Sequence, residues 1–298
     1  MTDGLPAPPV HPRRLAFLGT PEIAVPALRA LVEGGHEVAL VVSGADKRRG
    51  RRGAPTPSPV KAAALELGLR VTDSLDDVLD ADVDLGVVAA YGRIVPRRVL
   101  EAVPMVNLHF SLLPRWRGAA PVERAILAGD DVTGVCLMGL EEGLDTGPIY
   151  RRSTRPIGPD TTAASLAADL AADAAELLVA GLREGLTDPE VQAGEVTYAE
   201  KLVADDRRLD WTEPAVQLDR IVRVGGAWTT FRGTRFKVHA TRPLPGDGPG
   251  PGAFDGVVVG TGAGRLELVE VQPEGKGRLS AAAWRNGAQP TADDRLGP

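Results

Sequence analysis

Asn107 and His109 stand two residues apart in Met105-Val-Asn-Leu-His-Phe110, a stretch apolar enough to be a buried strand. Side chains two apart on a strand share a face, so the pair is aimed one way. An Asn amide N–H can donate to a developing oxyanion, and His is the side chain whose ordinary pKa lies nearest neutrality. Together they suit acyl transfer. Asp145, in Gly143-Leu-Asp-Thr-Gly147, adds a carboxylate. Folded back against the imidazole, it would fix the tautomer and stabilise the protonated ring, as does the third member of a hydrolase triad. No Ser or Cys nucleophile is required. A structural reading of the same residues stays open, with Asn107 and His109 hydrogen-bonding a strand end and Asp145 serving a Gly-rich turn.

The elements that must position this set read as α/β. Arg14–Gly19 is an apolar run ending in Gly, and 22–34 follows with Ile23, Ala27, Leu28 and Leu31 at helical spacing. Residues 37–43 form the next strand, giving a strand–helix–strand unit of a parallel sheet. The first turn lacks Gly-x-Gly-x-x-Gly, which argues against a dinucleotide. A helix over 60–68, a short strand over 69–72 and a fully apolar strand over 84–90 continue the pattern. Further helices are expected at Pro121–Ala128 and 161–184, with strands at Val132–Gly139 and 148–152 between them. The expected fold is α/β, a Rossmann-like, mostly parallel sheet. Beyond a polar stretch, a helix over 216–224 and strands over 228–240, 256–260 and 265–271 predict a small antiparallel barrel.

At 298 residues the chain has room for two cores, and 43% hydrophobic with 25% charged residues is ordinary for a globular protein. No apolar run is long enough to span a bilayer. The first twelve residues are Pro-rich and lack the features of a secretory signal, so a cytoplasmic protein with a flexible N-terminal tail is expected. The one cysteine, Cys136, excludes an intramolecular disulfide and a Cys-based zinc site. The net charge of −6 is unevenly spread. Residues 1–206 hold 21 basic and 30 acidic side chains, whereas 207–298 hold 13 and 10, so the C-terminal part could face a polyanion. Lys47, Arg48, Arg49, Arg51 and Arg52 form a separate basic loop that lacks a Walker-type ending; read alone, it is a solvated charge run.

Asn-Leu-His-Phe-Ser-Leu-Leu-Pro-Arg-Trp-Arg-Gly from Asn107, followed by Gly-Leu-Asp-Thr-Gly, resembles the methionyl-tRNA formyltransferases. The likeness runs from Phe17-Leu-Gly-Thr-Pro21 through Pro57-Ser-Pro-Val-Lys61 and Ala90-Tyr-Gly92 to Gln272-Pro-Glu-Gly-Lys276. It implies 10-formyltetrahydrofolate as formyl donor, no metal, and Asn107, His109 and Asp145 as the catalytic residues. It further implies that Ser111, Leu112, Leu113 and Pro114, with Tyr91, Gly92 and Ile94, bind the folate. The basic loop sits where the family carries a loop that contacts the tRNA acceptor stem, and Arg51 best matches its key arginine.

The expected organisation is thus a flexible tail over 1–12, a catalytic domain over 13–186, a linker over 187–210, a C-terminal OB-like tRNA-binding domain over 211–287 and a flexible tail over 288–298. The resemblance implies a monomer that formylates the α-amine of methionyl initiator tRNA. Two alternatives keep other classes in view. The same fold and triad could serve a sugar amine, another small amine or water, and a folate- or RNA-binding protein without turnover could share the fold.

Overall fold

Strand β1 (Arg14–Gly19) is buried along almost its whole length, which is the mark of a strand covered on both faces of a parallel sheet. The structure, a computed structural model, describes residues 4–48 and 54–297. It divides into two compact units, the first containing the chain up to Val122 with Val132–Pro156 and Leu166–Glu200, the second the remainder.

The first unit is built on seven strands. After β1 come β2 (Glu37–Val42), β3 (Val71–Thr72), β4 (Leu85–Ala89), β5 (Met105–His109), β6 (Val132–Gly139) and β7 (Ile149–Pro156). Their order is β7-β6-β5-β4-β1-β2-β3. Pairing is parallel from β3 to β5, whereas β6 and β7 run antiparallel. Strand order therefore reverses between β1 and β4, the switch point at whose carboxyl side open α/β sheets keep ligands.

The first two helices of this unit start as their sequences dictate. Pro21 leads into a 3-10 turn over Glu22–Ala24, and α1 (Val25–Glu33) carries Pro26 in its first turn, where a missing N–H costs nothing. It buries Val25, Ala27, Leu28 and Leu31. For α2 (Pro59–Glu66) the cap is Ser58, whose side chain accepts from Lys61 N at 3.1 Å, a contact worth about 1 kcal/mol. The N-terminal stretch expected as a flexible tail is tied down from residue 5: Leu5 packs on the core and Val10 O accepts from Leu186 N at 3.0 Å. The stretch expected as a linker is divided, with residues up to Glu200 belonging to the first unit.

The second unit contains an antiparallel sheet: Trp228–Phe231, Thr234–Leu244, Arg265–Pro273, Val258–Gly260 and Phe254–Asp255 in that hydrogen-bonded order. Where the sequence suggested continuous strand over 228–240, the structure has a hairpin. Arg232 and Gly233 sit at φ 48° and 76°, the paired positive values of a type I′ turn. Its core gathers Phe231, Phe236, Phe254 and Trp284, with Phe236 and Trp284 ring centroids 4.7 Å apart. Trp284 comes from a helix, Ala281–Ala288, that hydrophobic spacing did not reveal. The expected flexible tail is also ordered here: Leu296 is 3% exposed within this core, and Asp294 pairs with Arg232 at 2.7 Å.

Candidate active site

β5 ends at His109, with Asn107 opposite Val88 on one neighbour and His109 opposite Cys136 on the other. Asn107 and His109 share a face of the strand, and Asp145 folds back beside them. His109 is 5% exposed, and its Nε2 lies 2.8 Å from the carbonyl oxygen of Trp116. A carbonyl can only accept, so Nε2 carries a hydrogen and donates it. Nδ1 then faces Asp145 Oδ2 at 3.5 Å, and in the neutral ring it holds the lone pair. Asp145 Oδ2 accepts from Gly118 N at 2.8 Å, and Asp145 Oδ1 takes a long 3.5 Å contact from Asn107 Nδ2.

Burial pushes the His109 pKa down, against the upward pull of the Asp145 carboxylate and the Trp116 carbonyl, while Arg117 adds to the fall. The imidazole is neutral at rest. Asp145 itself adopts φ 50° within a turn. A Cβ at Gly147 would lie 1.9 Å from the Gly139 carbonyl oxygen, so only glycine allows the chain to pass there.

A cavity of about 520 Å³ opens onto the pair, lined by segments that follow β1, β4, β5 and β6. Its size is that of a small-molecule site. Tyr91, Gly92 and Ile94 line it. Among the described residues nothing hydrogen-bonds the buried Tyr91 hydroxyl, and burial raises its pKa. Ile94 is 89% exposed at the rim, near which Leu144 is also exposed. The four-residue turn Ser111 to Pro114 is a different matter, because none of its residues lines this cavity. Ser111 is buried and donates to Arg115 O at 2.6 Å, while Leu113 packs with Cys136, Met138 and Ile149. These residues shape the turn that carries Trp116.

Of the basic loop, Arg49, Arg51 and Arg52 lie outside the described residues. Lys47 and Arg48 pair through their main chains with Thr56 and Pro55, and Arg48 is exposed. Among the described residues, no three His, Cys, Asp or Glu side chains gather as a metal site requires. No sequence pattern pointed to Gln192, whose amide nitrogen donates to both Asp145 O and Gly147 O at 2.8 Å. It lies in a polar stretch with no periodicity, and only its proximity in space identifies it.

A sheet in this order, with an Asn, His and Asp set beside the cavity at its carboxyl side, is that of the formyl transferases. The formyl transferase family model matches residues 13–182, and the model of the formyl transferase C-terminal domain matches 201–289. Among solved structures the fold is similar to HypX from Aquifex aeolicus in complex with tetrahydrofolic acid, with a TM-score of 0.63 and 18% identity. That likeness covers 92% of this chain and 47% of that one. In sequence the chain is 46% identical to the methionyl-tRNA formyltransferase of Paenarthrobacter aurescens, over 92% of this chain and 96% of its relative. The corresponding enzyme of Streptomyces coelicolor is 44% identical over 95% and 99%. The chain belongs to the methionyl-tRNA formyltransferase family.

Proposed function

We propose that this chain transfers the formyl group of 10-formyltetrahydrofolate to the α-amino group of methionyl initiator tRNA. The observation that carries the chemistry is the convergence of Asn107, His109 and Asp145 on one cavity, with His109 held neutral by burial. The cavity suits a pterin. It offers the apolar Val88, Ile94, Val95 and Leu144 to a planar ring.

When bound, the folate supplies the formyl carbon. The Asn107 amide donates to the formyl oxygen as negative charge grows there, a contribution of the oxyanion-hole kind. His109 takes the proton released by the attacking amine at Nδ1, the nitrogen left with a lone pair. The new N–H then faces Asp145, whose carboxylate stabilises the imidazolium it has created. The C–N bond to the amine forms, the bond to the folate nitrogen breaks, and His109 returns its proton to that leaving nitrogen. Tetrahydrofolate and formylated methionyl-tRNA are the products.

Recognition of the tRNA is assigned to the basic loop, Lys47 to Arg52, and to the C-terminal unit. The enzyme is proposed to act as a cytoplasmic monomer; among the described residues no helix is long and apolar enough to cross a membrane. Labelled formyl transfer should be compared with charged initiator tRNA, charged elongator tRNA, free methionine and water as acceptors. Transfer to the initiator alone is expected. Transfer to a small amine or to water would keep the triad and overturn the assignment of the acceptor.

A further inference from the structure

The chemistry just derived leaves one part of the first unit without a task, the polar stretch 190–199. Its Tyr198–Ala199 pairs in parallel with Arg117–Gly118. Thr197 O accepts from Arg117 N at 2.9 Å, and Ala199 O accepts from Ala119 N at 2.9 Å and Ala120 N at 3.1 Å. Thr197 Oγ1 accepts from Trp116 N at 2.9 Å. A Cβ on Gly118, whose φ is 120°, would sit 2.9 Å from the Ala199 carbonyl oxygen, so this close pairing depends on a glycine.

The turn held in this way is the one that grips both His109 and Asp145. The planar peptide joining Trp116 to Arg117 offers its carbonyl to His109 Nε2 and its N–H to Thr197 O, so one rigid unit is fixed at both ends. The next N–H, that of Gly118, donates to Asp145 Oδ2.

Gln192 completes the arrangement from the other side. Its Nε2 lies 2.8 Å from two carbonyl oxygens, those of Asp145 and Gly147, and so must be the donating end of the amide. Its Oε1 takes two hydrogen bonds from the Arg117 guanidinium, at 3.1 and 2.6 Å. Asp145 stands at a positive φ, uncommon for side-chain-bearing residues although Asp adopts it more readily than most. Gln192 contributes an enforcing contact at that residue and another two residues on.

We propose that the stretch 190–199 is a positioning element for formyl transfer, in which Gln192 and Thr197 set the tautomer of His109 and its distance from Asp145. This rests on the reading of His109 and Asp145 as the proton-handling pair. Gln192 and Thr197 are positioning residues: they act through that pair.

Gln192→Glu preserves shape and the Arg117 contact but turns a carboxylate oxygen toward two carbonyl oxygens, which drives the Asp145 turn away. Thr197→Val removes the acceptor for Trp116 N, whereas Thr197→Ser keeps it. In the full-length chain, Gln192→Glu and Thr197→Val should each lose roughly 10- to 100-fold in kcat with both KM values within about threefold of wild type, the scale of an ångström of misplacement. Thr197→Ser should retain the wild-type rate. On an Asp145→Asn background the further loss from Gln192→Glu should nearly vanish, since coupled residues are not additive.

Wild-type kcat in Gln192→Glu would overturn the proposal. So would full additivity with Asp145→Asn, or a loss explained by melting below the assay temperature. Failure of the underlying reading looks different: His109→Ala and Asp145→Asn would then themselves keep wild-type turnover.

Discussion

His109 donates its Nε2 hydrogen to the carbonyl oxygen of Trp116 across 2.8 Å, and Trp116 presents that oxygen from a backbone at φ 64°. The bond decides which ring nitrogen is free for chemistry. Nδ1 is left as the base, with a carboxylate beside it to receive the charge.

The pH dependence follows from this burial. The His109 pKa lies below its ordinary 6.5, so the neutral base persists at pH values where a free imidazole would be protonated. The acid limb of kcat/KM should therefore fall below pH 6.5, and a limb above it would show that the carboxylate outweighs burial. Stability carries the same sign. Just below pH 6.5 the unfolded chain binds more protons at this residue than the folded one, so its contribution is full above that value. It is lost as pH falls toward the depressed folded value. A pH series of denaturant midpoints for wild type and His109→Ala isolates the effect.

Asn107→Ala removes the donor assigned to the formyl oxygen. A loss of roughly 10²- to 10³-fold in kcat is expected, as for other oxyanion-hole donors, with the KM for folate little changed. Single-turnover rates measure it directly. A rise in KM at unchanged kcat would instead make Asn107 a ground-state binding residue.

Arg51→Ala tests the basic loop. Removing one phosphate contact should raise KM for charged initiator tRNA, leave the folate KM unaltered and lower the slope of log affinity against log salt by about 1. Titrating KM against potassium chloride reads all three. An unchanged tRNA KM would shift the contact to another side chain of the loop or to the C-terminal unit.

How much of this was legible depended on whether a residue's role is local. The Asn107 and His109 parity is a property of any strand, and the apolar runs of β1, β4 and β5 could hardly be anything else. Family likeness decided for Asp145, which local pattern left open between a carboxylate partner for the imidazole and a turn residue. Gln192 and Thr197 show no local pattern because their partners lie 45 to 81 residues away in sequence. The Arg232-Gly233 turn was missed for a different reason: arginine is not among the residues that favour positive φ, and the hairpin imposes it. Ser111 and Leu113 were expected to meet folate, yet the polar group of one and the apolar body of the other are satisfied inside the protein.

The C-terminus gives the sharpest contrast between composition and structure. Residues 288–298 are mostly small, polar or charged, a pattern that reads as a tail, but Leu296 enters the core of the second unit and bridges to Phe231. Its N–H donates to Gly252 O at 2.9 Å, and Gly297 N reaches Thr230 O at 3.0 Å. Truncating a leucine so buried typically costs about 2–5 kcal/mol, part lost transfer energy and part cavity. Leu296→Ala should therefore lower the unfolding midpoint of the second unit, and Asp293→Ala, at an exposed neighbour, should leave it within about 0.5 kcal/mol. Denaturant unfolding followed by tryptophan fluorescence reads both, because Trp211 and Trp284 belong to the same core. Equal behaviour of the two variants would mean that the terminus contributes nothing to folding, and the tail suggested by composition would stand.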